Sequence, residues 1–230
     1  MTDIDRAAWF IHESNLIEDV TALSRDDIRR RLAANSPLGH AGAFLFLDQL
    51  ATERLVLRQQ DLFLAHRLIL LEELELSGGW EPADGIPEDL APEIGGWRRR
   101  DIRVGLHAPT MWPVLPSVMG QYFDQLEAFL ASPHADEEAI DFAADTHYEY
   151  EAVHPLIDGN GRTGRLIANY ALAFHGLQIA VFTAADRQAS YYSACNHPET
   201  TLMRRYLRCK MRHPDIALDA ASSEEWPVDN

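Results

Sequence analysis

Apolar residues recur every three to four positions over long stretches of this 230-residue chain: Phe44, Leu47, Leu50, Ala51 and Leu55, then Leu62, Leu64, Leu68 and Leu71. That period is the apolar stripe of an α-helix, so the chain has to pack mainly as helix against helix. Ser24 ahead of Asp26 and Asp27 supplies an N-cap with an acidic first turn, and Asn35, Pro37 and Gly39 punctuate the end of that helix. Helical spacing continues to about Leu76 and resumes over residues 116–130, 136–153, 162–174, 184–195 and 200–211. Between these blocks, residues 77–96 carry Gly78, Gly79, Pro82, Gly85, Pro87, Pro92, Gly95 and Gly96, which predicts a long surface loop that could shape a binding edge. Residues 97–104 alternate loosely enough for a strand, with residues 106–112 as its hairpin partner. The expected fold class is mainly α with one small β-hairpin.

The apolar fraction of 47% can bury one substantial core, so a single compact domain is expected. Its parts are an N-terminal helical segment (1–36), a core (37–213) and an acidic, Ala- and Ser-rich tail (214–230) that reads as frayed. Every apolar run is far shorter than the roughly 20 residues that cross a bilayer, and the first residues lack the pattern of a secretory signal. A cytoplasmic protein with no membrane partner is expected. Cys195 and Cys209 read as reduced packing residues. With 36 acidic against 20 basic side chains, the formal charge of −16 opposes the counterion release that drives nucleic-acid binding. The expected partner is therefore a protein. Arg98, Arg99, Arg100 and Arg103 form a small basic cluster that reads as a solvated strand face.

Chemistry concentrates in one window, His154-Pro155-Leu156-Ile157-Asp158-Gly159-Asn160-Gly161-Arg162-Thr163-Gly164-Arg165. Pro155 disfavours helical geometry at His154, which places the histidine at a loop mouth. Asp158 to Gly161 can turn tightly, and a helix beginning just after them aims its unpaired amides at the loop. Such a junction accepts anions, phosphate above all. Arg162 and Arg165, three apart, share a helical face where two guanidinium forks can hold a polyphosphate. Asp158 offers the hard oxygen that a phosphate-bound Mg²⁺ requires, and His154 is left to take a proton from an attacking hydroxyl. The plainer reading is a glycine-rich loop with a capping Asn and solvated arginines. A metal-hydrolase reading rests on His147 and His154, seven apart, followed by Asp158, although a histidine at position 147 more often packs between turns. A Walker A loop is excluded by the absence of its Gly-Lys-Ser/Thr ending.

The same window closely resembles the Fic signature H-P-F-x-[DE]-G-N-G-R-x-x-R, with Leu156 in place of the usual phenylalanine. Similarity to that family implies a helical bundle with a small β-hairpin flap, covering about residues 64–207, and AMP transfer from ATP to a protein hydroxyl. It further implies His154 as general base, Asp158 as Mg²⁺ ligand, and Asn160 with the amides of Gly159 and Gly161 as the α-phosphate site. Arg162 and Arg165 would hold the outer phosphates. Leu64 to Arg67 and Gly96 to Arg98 look like the helix and strand preceding the flap, and His107, Ala108, Pro109, Thr110, Met111 and Trp112 would be the flap that docks the target; an ordinary edge hairpin explains them equally. Asp186-Arg187 with Tyr191 and Tyr192 resembles the adenine wall, which aromatic core packing also explains.

Near the N-terminus, Ser14-Asn15-Leu16-Ile17-Glu18-Asp19 resembles the family's inhibitory motif [ST]-x-x-x-E-[GN], except that Asp19 ends it. Ser14 and Glu18, four apart on a helix, point together, and the resemblance implies that Glu18 pairs with Arg165. A solvated glutamate on an amphipathic helix is the plainer alternative. A homodimer is compatible with all of this. AMP removal, transfer of another nucleotide and a non-catalytic nucleotide-binding module remain the alternative functions.

Overall fold

The computed structural model describes residues 2–20, 23–76, 93–105 and 107–227. Among these residues the chain forms nine α-helices: α1 (Asp3–Ile17), α2 (Arg25–Ala33), α3 (Gly39–Thr52), α4 (Gln59–Leu76), α5 (Leu115–Leu130), α6 (Asp136–Val153), α7 (Asn160–Phe174), α8 (Tyr192–Cys195) and α9 (Thr201–Arg212). Their starts are written locally. Thr2 Oγ1 accepts from Asp5 N–H at 3.2 Å while the Asp5 carboxylate takes the Thr2 N–H at 3.4 Å, a reciprocal cap on α1. Ser24 Oγ accepts from Asp27 N–H at 3.1 Å and starts α2. α3 has no capping side chain of its own, and Glu72 of α4 accepts its His40 N–H at 2.9 Å instead.

α7 is the central helix, buried along nearly its whole length and packed against α6, α3, α4 and α1. Leu166, Ile167, Ala168, Ala171 and Leu172 fill the space around it. Its buried Asn169 is paired on both sides of its amide: it donates to Ala180 O at 3.1 Å and accepts from Ala180 N–H at 2.8 Å. α6 lies between α7 and α9 and is tied to α9 by Arg208 with Asp141 and Arg204 with Asp145. α1 belongs to the same core, since Phe10, Ile11 and Ile17 are buried against its neighbours.

Four sequence expectations are corrected. The hairpin over 97–112 is reduced, among the described residues, to one antiparallel bridge between Val104 and His107, because Arg98 turns inward rather than alternating outward. Arg98 is accordingly buried and not part of a solvated face. Residues 184–195 are not one helix but a 3-10 turn, a π-helical turn (Arg187–Tyr191) and the short α8. The acidic tail is docked: Leu218 and Trp226 are buried, Leu218 N–H donates to Asp186 Oδ1 at 2.7 Å, and Trp226 sits edge-on to Tyr206. The loop expected over 77–96 lies outside the described residues up to 92; Glu93 and Ile94 beyond it are buried. No helix of the described residues is long and apolar enough to cross a membrane.

Candidate active site

The junction between α6 and α7 takes the shape its sequence dictates. α6 closes on His154, whose left-handed backbone (φ 49°, ψ 61°) still donates to Tyr150 O at 2.9 Å, and Pro155 cannot continue the helix. Gly159, at φ 72°, reverses the chain into α7, a conformation that costs any residue with a Cβ. Asn160 then locks the turn. Its Oδ1 accepts from Leu156 N–H at 2.9 Å and its Nδ2 donates to Leu156 O at 3.0 Å, so this side chain holds the loop closed, and anion contacts fall to the backbone amides. Leu156 is fully buried beneath the loop, an apolar plug where the signature has phenylalanine.

Above the loop is a cleft of about 900 Å³. Its walls bring together His154, Asp158, the 159–161 loop, Tyr191 and Tyr192 with His107 from the bridged segment. His154 Nδ1 faces Glu151 O at 3.3 Å, which makes Nδ1 the protonated nitrogen and leaves Nε2 as the acceptor. Burial holds its pKa below the ordinary histidine value, so the imidazole is neutral near pH 7. Asp158 is exposed, with Oδ1 accepting from Gly159 N–H at 2.6 Å.

Glu18 closes the cleft from the end of α1. Its Oε1 accepts from Arg165 Nη2 at 2.8 Å, and a Cβ built on Gly161 would lie 2.1 Å from it, which puts this carboxylate directly against Gly161 of the loop. Arg165 is fully buried and also donates to Ser14 Oγ (2.9 Å), Ser14 O (2.8 Å) and the Tyr191 hydroxyl (2.9 Å). Ser14 and Glu18 thus do point together, onto one guanidinium. Arg162, its Nη2 beside Gly159, is paired with Glu73 of α4. The end of α1 is held by the 184–192 segment: Ala184 N–H donates to Glu13 Oε2 at 2.9 Å, Tyr192 OH to Ile17 O at 3.2 Å, and Arg187 pairs with Asp19. Asp19 is left-handed (φ 56°), which explains why glycine or asparagine ends the resembling motif.

Some residues of this site carried no reading in the sequence. Glu151 lies in the cleft three residues before His154, with Oε2 3.7 Å from its Nδ1; that spacing on one helical face was a usable signal. Burial and the nearby Glu18 charge push its pKa up to about 8. Arg98, read in the sequence as part of a solvated basic cluster, carried no signal that it turns inward. His147 packs against the Tyr191 ring and shares a 2.9 Å hydrogen bond with its hydroxyl. Among the described residues no group of three or more His, Cys, Asp and Glu is arranged to hold a metal ion.

These features define a class: a helical domain whose central helix begins at a glycine-turned loop with a neutral histidine at its mouth. The Fic/DOC family model matches residues 56–172, and the chain belongs to that family. It is 28% identical over 159 residues to a protein adenylyltransferase Fic of Drosophila persimilis, covering 69% of this chain and 27% of that one. It is 31% identical over 138 residues to the protein of the same name from Nematostella vectensis, covering 59% and 31%. The chain spans about a third or less of the length of these curated relatives. In fold it is similar to a Fic domain containing signaling protein from Bacteroides thetaiotaomicron (TM-score 0.59, 19% identity, covering 90% and 87%). It is also similar to Fic-1 from C. elegans (TM-score 0.66, 22% identity, covering 96% and 62%).

Proposed function

We propose that this chain transfers AMP from ATP to a Ser, Thr or Tyr hydroxyl of a target protein, and that Glu18 restrains the reaction from within. The observation that carries this reading is the Glu18 carboxylate seated on Gly161 and Arg165, an internal anion at the junction where an ATP phosphate would bind. The name of the curated relatives, protein adenylyltransferase, supplies the nucleotide.

With Glu18 withdrawn, the amides of 159–161 receive the α-phosphate, and the Arg165 Nη2 donor that Glu18 occupied is freed for the outer phosphates while the bonds to Ser14 and Tyr191 stay. His154 Nε2 takes the proton of the target hydroxyl as its oxygen bonds to the α-phosphorus; the bond to the β-bridging oxygen breaks and pyrophosphate leaves. Tyr192, half-buried beside the fully engaged Tyr191, offers a ring to the adenine. Among the described residues the cleft offers one exposed carboxylate, Asp158, and no cluster arranged to hold a metal by itself, so Mg²⁺ fits as a metal shared with the nucleotide. Bound there, it would neutralise phosphate charge. The 107–112 segment, with His107 on the cleft wall, would dock the target chain.

The test is intact mass after incubation of wild type, Glu18→Gly and His154→Ala with ATP and Mg²⁺. AMP on Glu18→Gly, little on wild type and none on His154→Ala supports the proposal. AMP on His154→Ala sinks the base assignment, and ATP binding by every variant without any covalent product, on itself or on offered proteins, favours a binding module. AMP removal is the second reading, favoured by Glu18 and His154 sharing one cleft, where Glu18 could orient a water.

A further inference from the structure

Arg98 is a buried cation whose partners are backbone carbonyls. Its side chain has no exposure, and the nearest carboxylate, Asp101, is 3.9 Å away. Nε donates to His154 O at 2.8 Å, Nη1 to Arg100 O at 2.7 Å and Nη2 to Thr110 O. Its own N–H donates to Pro155 O at 3.0 Å. One planar fork therefore ties the backbone of His154, at the end of α6, to Thr110 in the segment that forms the cleft's edge. Burying a charge without a close counter-ion is costly, and burial indeed lowers the pKa of this guanidinium. A Lys could not replace it, since its point charge lacks three donors fixed in a plane.

The edge segment has few other ties. His107 shares a 2.9 Å hydrogen bond with Ala152 O, and Trp112 N–H donates to Asp101 Oδ1 at 2.9 Å. The bridge between Val104 and His107 holds the segment only to itself. Without Arg98, nothing else among the described hydrogen bonds joins Thr110 to the loop that carries His154.

We propose that Arg98 is a positioning residue that locks the docking segment around Thr110 to the backbone of His154, so that a docked polypeptide and the imidazole keep one register. The inference rests on the proposed roles of His154 as base and residues 107–112 as docking flap. It requires no contact between Arg98 and nucleotide.

The experiment compares wild type, Arg98→Met, Arg98→Lys and Asp101→Ala, alone and in the Glu18→Gly background. Amide exchange at Val104, His107 and Trp112 reads the flap, exchange in α7 reads global stability, and NMR titration reads the His154 imidazole. Arg98→Met should speed flap exchange at least tenfold beyond any change in α7 and raise the His154 pKa, since Arg98 is one of the charges holding it down. Arg98→Lys keeps that charge, so flap exchange should rise while the titration stays near wild type. In the Glu18→Gly background, both variants should bind ATP as before and transfer AMP at least tenfold more slowly.

Flap exchange that changes only in step with α7 overturns the proposal, because Arg98 would then be general scaffolding. If the buried substitutions fail to fold, the exposed Asp101→Ala decides: it removes the acceptor of Trp112 N–H, and a loosened flap that leaves the His154 resonance unmoved overturns the coupling. Loss of the proposed function is seen separately, as AMP transfer surviving His154→Ala or absent from Glu18→Gly, and neither outcome alters the exchange result.

Discussion

Glu18 and Arg165, separated by 147 residues in sequence, meet at 2.8 Å with the arginine fully buried and the glutamate reached from the cleft. The pair is asymmetric. Arg165 keeps Ser14 Oγ, Ser14 O and the Tyr191 hydroxyl whether or not Glu18 is present. Removing Glu18 therefore leaves no orphaned cation, and Glu18→Gly should lower stability by only about 1–3 kcal/mol, the scale of one charge-assisted hydrogen bond. ATP affinity should rise in the same variant by about tenfold or more, since differential binding of about 1.4 kcal/mol is already tenfold. Calorimetry and urea unfolding check the two effects; unchanged ATP affinity would show that Glu18 blocks nothing.

Glu151 should give the protein a measurable acid-favouring slope. Its folded pKa of about 8 lies above the usual carboxylate value, so between roughly pH 4.5 and 8 the native state holds a proton that the unfolded chain does not. Stability from this group is complete below the unfolded pKa and is lost as pH rises through about 8. His147 and His66, held neutral by burial at about 3 and about 4, slope the opposite way below pH 6.5. Subtracting the melting profile of Glu151→Gln from wild type isolates the first slope. Because the Glu18 charge helps raise this pKa, the slope should shrink in Glu18→Gly.

Asn160→Ala should cost about 1–3 kcal/mol, because it leaves the buried N–H and C=O of Leu156 without their partner. Asn160→Asp restores the acceptor for Leu156 N–H but not the donor, and sets a negative charge at the anion site. Denaturant unfolding should rank wild type above both, and ATP binding should be weaker in the Asp variant than in the Ala variant.

Asp19 and Arg187 form an exposed ion pair at the end of α1. Asp19→Asn keeps a residue suited to the left-handed backbone and removes the charge, so the fold should be preserved while α1 is held less firmly. If Glu18 restrains the site, AMP incorporation by Asp19→Asn should fall between wild type and Glu18→Gly. Added salt should raise wild-type incorporation and leave Asp19→Asn nearly unaffected.

Asp186 holds the C-terminal segment to the core by pairing with fully buried Lys210 and accepting from Leu218 N–H. Asp186→Ala strands that lysine and should cost about 3–5 kcal/mol. Limited proteolysis should then cut near residues 214–226 in the variant and not in wild type.

Much of the fold was legible because helices carry their own instructions. The 3.6-residue period, the Ser24 cap and the breakers at 35–39 marked α2 to α4, and α6 was legible to both ends through its acidic first turn and Pro155. The Asn160 amide serves Leu156, a pairing between residues four apart that spacing alone could not distinguish from ligand binding. The hairpin failed for a different reason. Alternation over 97–104 was weak, and whether Arg98 points outward or inward depends on carbonyls at His154 and Thr110, far away in sequence.

By itself the sequence determined the junction, because proline, two glycines and a helix start act on immediate neighbours through backbone sterics and unpaired amides. It also determined that Ser14 and Glu18 share a face. Only the tertiary structure decided what that face meets, which arginine stays in the site and which pairs with Glu73, and that the tail is docked. Those outcomes depend on buried charges finding partners, and a buried charge is settled by the groups that packing brings to it from distant parts of the chain.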